Sequence, residues 1–347
     1  MLLLLPLVAS LSAPVDVDPR AHQDAAASGG KVGAFYETVV GPEGHRYAWK
    51  PDWLELPDGM ELGNTHGCVA VDSKGRVFFN TDAKHAVVIV DADGKYLSSW
   101  GEEWAGGLHG MTIVQEEGGE FVYLAHTGRH EIAKATLDGK VVWTTPYPKD
   151  CGVYENAGQY RPTGIAVAPN GEIFVGDGYG QSWCHRFSAK GEYLSSFGGG
   201  GTDPGKMRTP HGMIIETVGE DTFVLVCDRE NNRLQRFTQE GEFVRVEAPG
   251  LRRPCNGAFA GDLLAIADLA GRVTLLGLDE KGERYVVAHL GDNPDPKKRA
   301  VNGVPREEWK DGEFLSPHGI AADADGNLYV LDWNRHGRVS KLEKLRD

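Results

Sequence analysis

One pattern recurs six times along the chain and constrains the fold more than any other feature. Each copy has a short strand opening on "HG" or a relative, a Gly turn, and a β-branched or aromatic strand often ending in Asp. The copies open at His66 (HGCVAVDSKGRVFFNTD), His109 (HGMTIVQEEGGEFVYLAH), Thr163 (TGIAVAPNGEIFVGD), His211 (HGMIIETVGEDTFVLVCD), Asn256 (NGAFAGDLLAIAD) and His318 (HGIAADADGNLYVLD). They stand 43 to 62 residues apart. Third and fourth strands are clearest in AVVIVDADGKYLSSWG and CHRFSAKGEYLSSFG. Four short strands per repeat of this length predict a propeller blade, which buries its faces only by stacking on its neighbours. The fold class is therefore all-β, a six-bladed β-propeller over residues 32–347 with four antiparallel strands per blade. The sixth copy ends at RVSKLEKLRD without a clear fourth strand. A stretch of residues 32–57, such as HRYAWKPDWLEL, is expected to supply it and close the ring, which leaves no exposed strand edge. Two separate β domains would need a linker between repeats, and the repeats are evenly spread.

Composition agrees. The chain has 46 Gly in 347 residues, close to twice the usual ~7%. Turns between short strands need φ > 0, which Gly supplies. A hydrophobic content of 41% with 25% charged residues excludes a disordered chain. A net charge of −14 argues against a nucleic-acid surface, because phosphate binding needs excess Lys and Arg.

Residues 2–13 read LLLLPLVASLSA. That run is too short to span a membrane, which takes ~20 apolar residues. Residues 1–13 read as a secretory signal peptide and 14–31 as a flexible linker, so a secreted or periplasmic location is expected. Export permits one or two disulfides among Cys68, Cys151, Cys184, Cys227 and Cys255, with at least one thiol left over. No CxxC is present, so a zinc ribbon or thioredoxin motif is excluded.

In a propeller the first strand of every blade lines the central channel. The six opening residues are therefore expected at one mouth: His66, His109, Thr163, His211, Asn256 and His318. Four are His, out of twelve in the chain. A single HG is a structural turn. Four imidazoles facing one axis favour zinc or a similar divalent transition metal, and three of them plus a water is a catalytic geometry. The second strands end on Asp82, His126, Asp177, Asp228, Asp268 and Asp332. Of these, Asp177, Asp228, Asp268 and Asp332 are expected to accept backbone N–H groups of the neighbouring blade. Tyr179 and Arg229 follow two of them and are placed to overhang the channel mouth.

The middle of the chain resembles the NHL-repeat propeller of the peptidyl-alpha-hydroxyglycine alpha-amidating lyase family. The resemblance is carried by RPTGIAVAPNGEIFVGDGYG, TPHGMIIETVGEDTFVLVCDRENNRLQRF and SPHGIAADADGNLYVLD. It runs from residue 66 to about 342 and is strongest over 160–245. The resemblance implies a catalytic zinc held by three His, matching His109, His211 and His318, with His66 additional to that triad. It implies that Tyr179 acts as base, its pKa lowered by metal and Arg, and that Arg229 holds a carboxylate. The implied reaction is an elimination that cleaves an N–C(OH) bond and gives an amide and glyoxylate. Two positions depart from the family. An Asp that helps hold a structural calcium is Gly319 here, which weakens a calcium site and leaves the backbone carbonyls of Val69 and Met111. A substrate-handling Arg on the first blade is matched by Asp82, which would repel a carboxylate. The metal site therefore carries over better than the substrate site.

Two other functions compete. A lactonase of the gluconolactonase type would bind calcium through Glu and Asn across the channel, and this chain offers His. A non-enzymatic NHL propeller would bind a protein, peptide or glycan on one face, but has little use for four channel His and Tyr179. The expected partner is a small-molecule or peptide substrate in the central channel of a monomer, since a closed ring is complete alone. GGGGTDPG (198–205) lacks the GK[ST] ending of a phosphate loop, and neither GxSxG nor HExxH occurs. The stretch 291–314 is too long for an ordinary turn and reads equally as a lid over one mouth or a surface insertion.

Overall fold

The strands of the six repeats pair as the spacing predicts. The computed structural model describes residues 38–346; the expected signal peptide and linker lie outside these residues. Among the described residues the strands form six sheets, each antiparallel and ordered from the axis outward. Blades 1 to 6 begin with the strands Thr65–Val71, Leu108–Glu116, Gly164–Val167, Pro210–Val218, Pro254–Ala260 and Pro317–Ala322. Each of these first strands touches the first strands of the two flanking blades, and that of blade 6 touches that of blade 1. The ring is thereby closed.

Closure uses the expected stretch. Tyr47–Lys50 pairs with Arg338–Lys344, with Trp49 opposite Leu342, and forms the fourth strand of blade 6. Val39–Val40 adds a short fifth.

The core is divided among the blade interfaces. Ile165, Ile173, Val175 and Phe187 of blade 3 pack on Tyr123, Ala125 and Ile132 of blade 2. Middle strands are covered on both faces, and Val87–Val90 is an apolar run buried throughout. Outer strands alternate instead, as in Val141–Pro146, because one edge of each blade meets water.

The Gly of each HG has a steric cause. A Cβ on Gly164 would lie 2.4 Å from the His211 carbonyl oxygen, and one on Gly212 would lie 2.4 Å from that of Cys255. First strands approach so closely at the axis that only Gly fits behind the channel residue.

Register at that point differs from the reading of the sequence. Between Leu108, opposite His126, and Gly110, opposite Ala125, one extra residue is bulged out: His109. His318 is the extra residue between Pro317, opposite Asp332, and Gly319, opposite Leu331. In blade 5 the extra residue lies between Pro254, opposite Asp268, and Asn256, opposite Ala267. It is Cys255. The bulged residue of blade 5 is therefore Cys255, one position before the Asn256 that the sequence pattern selects; Asn256 also lines the channel, its Nδ2 donating to Cys68 Sγ of blade 1 at 3.1 Å. A bulge re-aims a side chain off the regular pleat, so its position decides what faces the axis.

Two further expectations are corrected. The Asp residues closing the second strands bind the segment entering their own blade: Arg161 N–H donates to Asp177 at 2.7 Å, Arg208 N–H to Asp228 at 2.7 Å, Arg252 N–H to Asp268 at 3.0 Å and Ser316 N–H to Asp332 at 2.6 Å. All five cysteines are free thiols, so no disulfide forms.

Candidate functional site

Three imidazoles come from alternate blades. His109, His211 and His318 belong to blades 2, 4 and 6, and their ring centroids stand 4.6 to 4.9 Å apart. Each turns Nδ1 to a backbone carbonyl of the next blade: His109 to Thr163 at 2.6 Å, His211 to Cys255 at 2.9 Å and His318 to Gly67 at 2.9 Å. A carbonyl only accepts, so Nδ1 carries the proton and Nε2 keeps its lone pair. Burial holds all three pKa values well below the usual His value, and neighbouring positive groups add to this. The triad is therefore neutral, in one tautomer, with its lone pairs turned inward.

His66 stands apart from this ring. The bulge in blade 1 is longer, spanning Thr65 to Val69. His66 lies against the His109 and His318 rings, at 4.7 and 5.0 Å. Its Nδ1 faces Asp82 at 3.7 Å, and Asp82 accepts from Asn64 Nδ2 at 2.6 Å. Asp82 is thus at the mouth as expected, beside an imidazole.

Tyr179 sits over the ring. Its hydroxyl is 3.2 Å from His211 Nε2, 3.3 Å from His109 Nε2 and 3.4 Å from His66 Nε2. Its turn is held by the Asp177 carboxylate, which accepts from Arg161 N–H, Gln181 N–H and the Tyr154 hydroxyl. Arg229 follows Asp228 in a short 3-10 turn and donates from Nη1 to the Tyr179 oxygen at 3.2 Å. Glu230 braces Arg229 Nε at 3.0 Å and Arg253 Nη2 at 2.7 Å. Burial raises the Tyr179 pKa, and the Arg229 guanidinium acts against it. A cavity of about 100 Å³ opens here, lined by His66, Tyr179, Arg229, Arg253, Trp333 and His318 among others. A larger one, about 360 Å³, lies beside Trp49, Trp53 and Trp309 at the closing seam and includes none of these ring residues.

The donor set suits a divalent transition ion. His318 Nε2 is buried and has no hydrogen-bond partner, an arrangement that is costly unless something fills it. The outer-shell carbonyls that fix the tautomers are the usual support of His ligands. Two groups bring candidate ligand atoms within 4.8 Å of one another: His66, His109 and His318, and His211, Cys255 and His318. Cys255, Arg253 and Trp333 were not legible as site residues in the sequence; a Pro-x-Gly/Asn alignment of the blade openings would have found Cys255.

Calcium has weaker support. Val69 and Met111 line a channel cavity of about 190 Å³ whose lining carries no carboxylate. A Cβ on Gly319 would lie 2.7 Å from the Gly67 oxygen and 2.8 Å from Cys68 Cα, so blades 6 and 1 leave no room for an acid there. The 291–314 segment borders the mouth without lining its cavity. Asn302 Nδ2 donates to Asn64 at 2.8 Å, and Val304 O accepts from Asn334 Nδ2 at 3.0 Å.

Fold and ring define a six-bladed propeller with a histidine-lined channel mouth. The family model of the NHL repeat matches residues 314–342. NHL repeat-containing protein 3 of Mus musculus is 30% identical over 269 residues, covering 65% of this chain and 76% of that protein. The chain belongs to the NHL-repeat family. It is also similar to the "Probable peptidyl-alpha-hydroxyglycine alpha-amidating lyase pgal-1" of Caenorhabditis elegans, 24% identical over 292 residues and 78% of each chain. Against the peptidyl-glycine alpha-amidating monooxygenase of Mus musculus, identity is 30% over 184 residues, half of this chain but 17% of that protein. Among solved structures, a streptogramin B lyase shares the fold with a TM-score of 0.56 at 17% identity, covering 86% of this chain and 98% of that one.

Proposed function

We propose that this chain, which resembles proteins named peptidyl-alpha-hydroxyglycine alpha-amidating lyase, is a metal-dependent lyase that cleaves an N–C(OH) bond and releases glyoxylate. The observation that carries this reading is the alternation of blades. Three His with Nδ1 committed to carbonyls gather at the channel mouth, and two of them, His109 and His211, turn Nε2 to one tyrosine hydroxyl that also meets a guanidinium. A binding module gains nothing from fixing three tautomers toward one point.

His109, His211 and His318 would hold the ion through Nε2. Bound there, zinc or a similar divalent ion supplies Lewis acidity toward the substrate's oxygens. Tyr179 is placed to take the hydroxyl proton of the substrate. For this Tyr179 must already be a phenolate, the form that the Arg229 guanidinium at its oxygen favours; the transfer leaves it a phenol, and Arg229 offers its remaining N–H groups to a carboxylate. As the C–N bond breaks, its electron pair leaves with nitrogen, the C–OH becomes C=O, and the hydroxyl proton ends on nitrogen. Arg229 and Arg253 make one side of the mouth basic, while Asp82 lies on the His66 side. A substrate carboxylate belongs on the Arg side, and a group that donates hydrogen bonds suits Asp82. The substrate therefore differs from a simple peptidyl-alpha-hydroxyglycine in what meets Asp82. Action outside the cytoplasm, as a monomer, belongs to the same proposal.

A glyoxylate-release assay on an alpha-hydroxyglycine peptide, with zinc added, tests it. We expect release that a chelator stops and zinc restores. No release with zinc bound would shift the reaction to another substrate; no release and no bound ion would favour a binding propeller.

A further inference from the structure

We infer that Cys255 is a fourth protein ligand of the ion held by His109, His211 and His318, so that the ion lies among three nitrogens and one sulfur. This rests on the reading of the ring as a metal site.

Register is the first argument. Cys255 occupies in blade 5 the bulged position that His109 and His318 occupy in blades 2 and 6. Its side chain leaves the backbone at the level of the triad. Its carbonyl takes the His211 Nδ1 proton, so backbone and imidazole are locked together next to the sulfur.

Proximity is the second. One candidate ligand atom each from His211, Cys255 and His318 lies within 4.8 Å of the others, and all three residues are buried. His318 Nε2 lacks any partner. A space of about 10 Å³ is bounded by these three residues with Cys68, Asn256 and Thr163, close to the room a single water-sized atom needs. Two of the other buried thiols have side-chain partners of their own. Cys184 packs against the sulfurs of Met207 and Met213 at 3.8 and 3.9 Å, and Cys68 accepts from Asn256 Nδ2 at 3.1 Å.

Chemistry is the third. Zinc takes thiolate and imidazole alike, and four such ligands are its usual protein complement. On binding, the S–metal bond forms as the thiol proton leaves to solvent, and no electrons are transferred. The Arg229 guanidinium beside the sulfur balances the thiolate. With the sulfur bound, four protein ligands surround the ion, and a substrate oxygen must enter as a fifth.

Cobalt(II) loading of the full chain tests this without any activity measurement. We expect visible ligand-field bands together with a near-ultraviolet thiolate-to-cobalt charge-transfer band. That band is lost in Cys255→Ser and kept in Cys151→Ser. X-ray absorption of the zinc-loaded wild-type protein gives the same answer without a variant: one sulfur scatterer at about 2.3 Å beside nitrogens at about 2.0–2.1 Å. Ligand-field bands with no charge-transfer band, or a zinc shell of nitrogen and oxygen alone, overturn the inference and leave the histidine site standing. No uptake of either metal overturns both.

Discussion

Tyr179→Phe is expected to lower the rate of glyoxylate release at least ~100-fold, the lower end of what a positioned acid–base group contributes. The substitution removes one oxygen and little else. That oxygen is the point on which three imidazole Nε2 atoms and Arg229 Nη1 converge, at 3.2 to 3.4 Å. The ring itself keeps its contacts, including the Arg229 guanidinium 5.3 Å from its centroid. Metal content and unfolding midpoint should therefore stay at wild-type values while the rate falls. A variant with full rate would remove Tyr179 from the mechanism.

The second large effect is on stability. Blades 4 and 5 are joined by a buried cluster of charges. Glu216 pairs with Arg284 of blade 5 and with Arg236 of its own blade; Glu247 meets Arg236 at 3.1 Å, Arg284 at 3.4 Å and Arg245 at 2.7 Å. The side chains of Arg284 and Glu247 have no exposed surface. Three cations thus face two anions. Glu216→Gln leaves three guanidinium groups around one carboxylate and should cost about 3–5 kcal/mol, as for other broken buried pairs. Arg284→Met leaves two of each sign and should cost clearly less. Urea unfolding of both variants decides this; equal losses would mean that the cluster's charge balance is not what matters.

The repeat made most of the fold legible. Blade number, strand order and the closing strand near Trp49 all follow from a pattern that each blade repeats. What the pattern could not carry is register within a bulge. Asn256-Gly257 matches the HG template in sequence, yet the bulge of blade 5 falls on Cys255, the position that His109 and His318 hold in blades 2 and 6. His66 carries the same HG signature as the triad, and the longer bulge in blade 1 lifts it beside Asp82. The Glu216 cluster was hidden for a related reason. A charged residue in a strand reads as solvent-facing, whereas in a propeller both faces of a blade meet neighbours, and opposite charges from two blades pair across the gap.

The alternating histidines His109, His211 and His318 are proposed to hold a metal ion. Metal analysis of the purified full chain, beside His211→Ala, tests it most directly. One equivalent of zinc or a similar divalent ion is expected in the wild-type protein, with its loss from the variant. A wild-type protein that binds no metal, or a His211→Ala protein that binds as much, would contradict it.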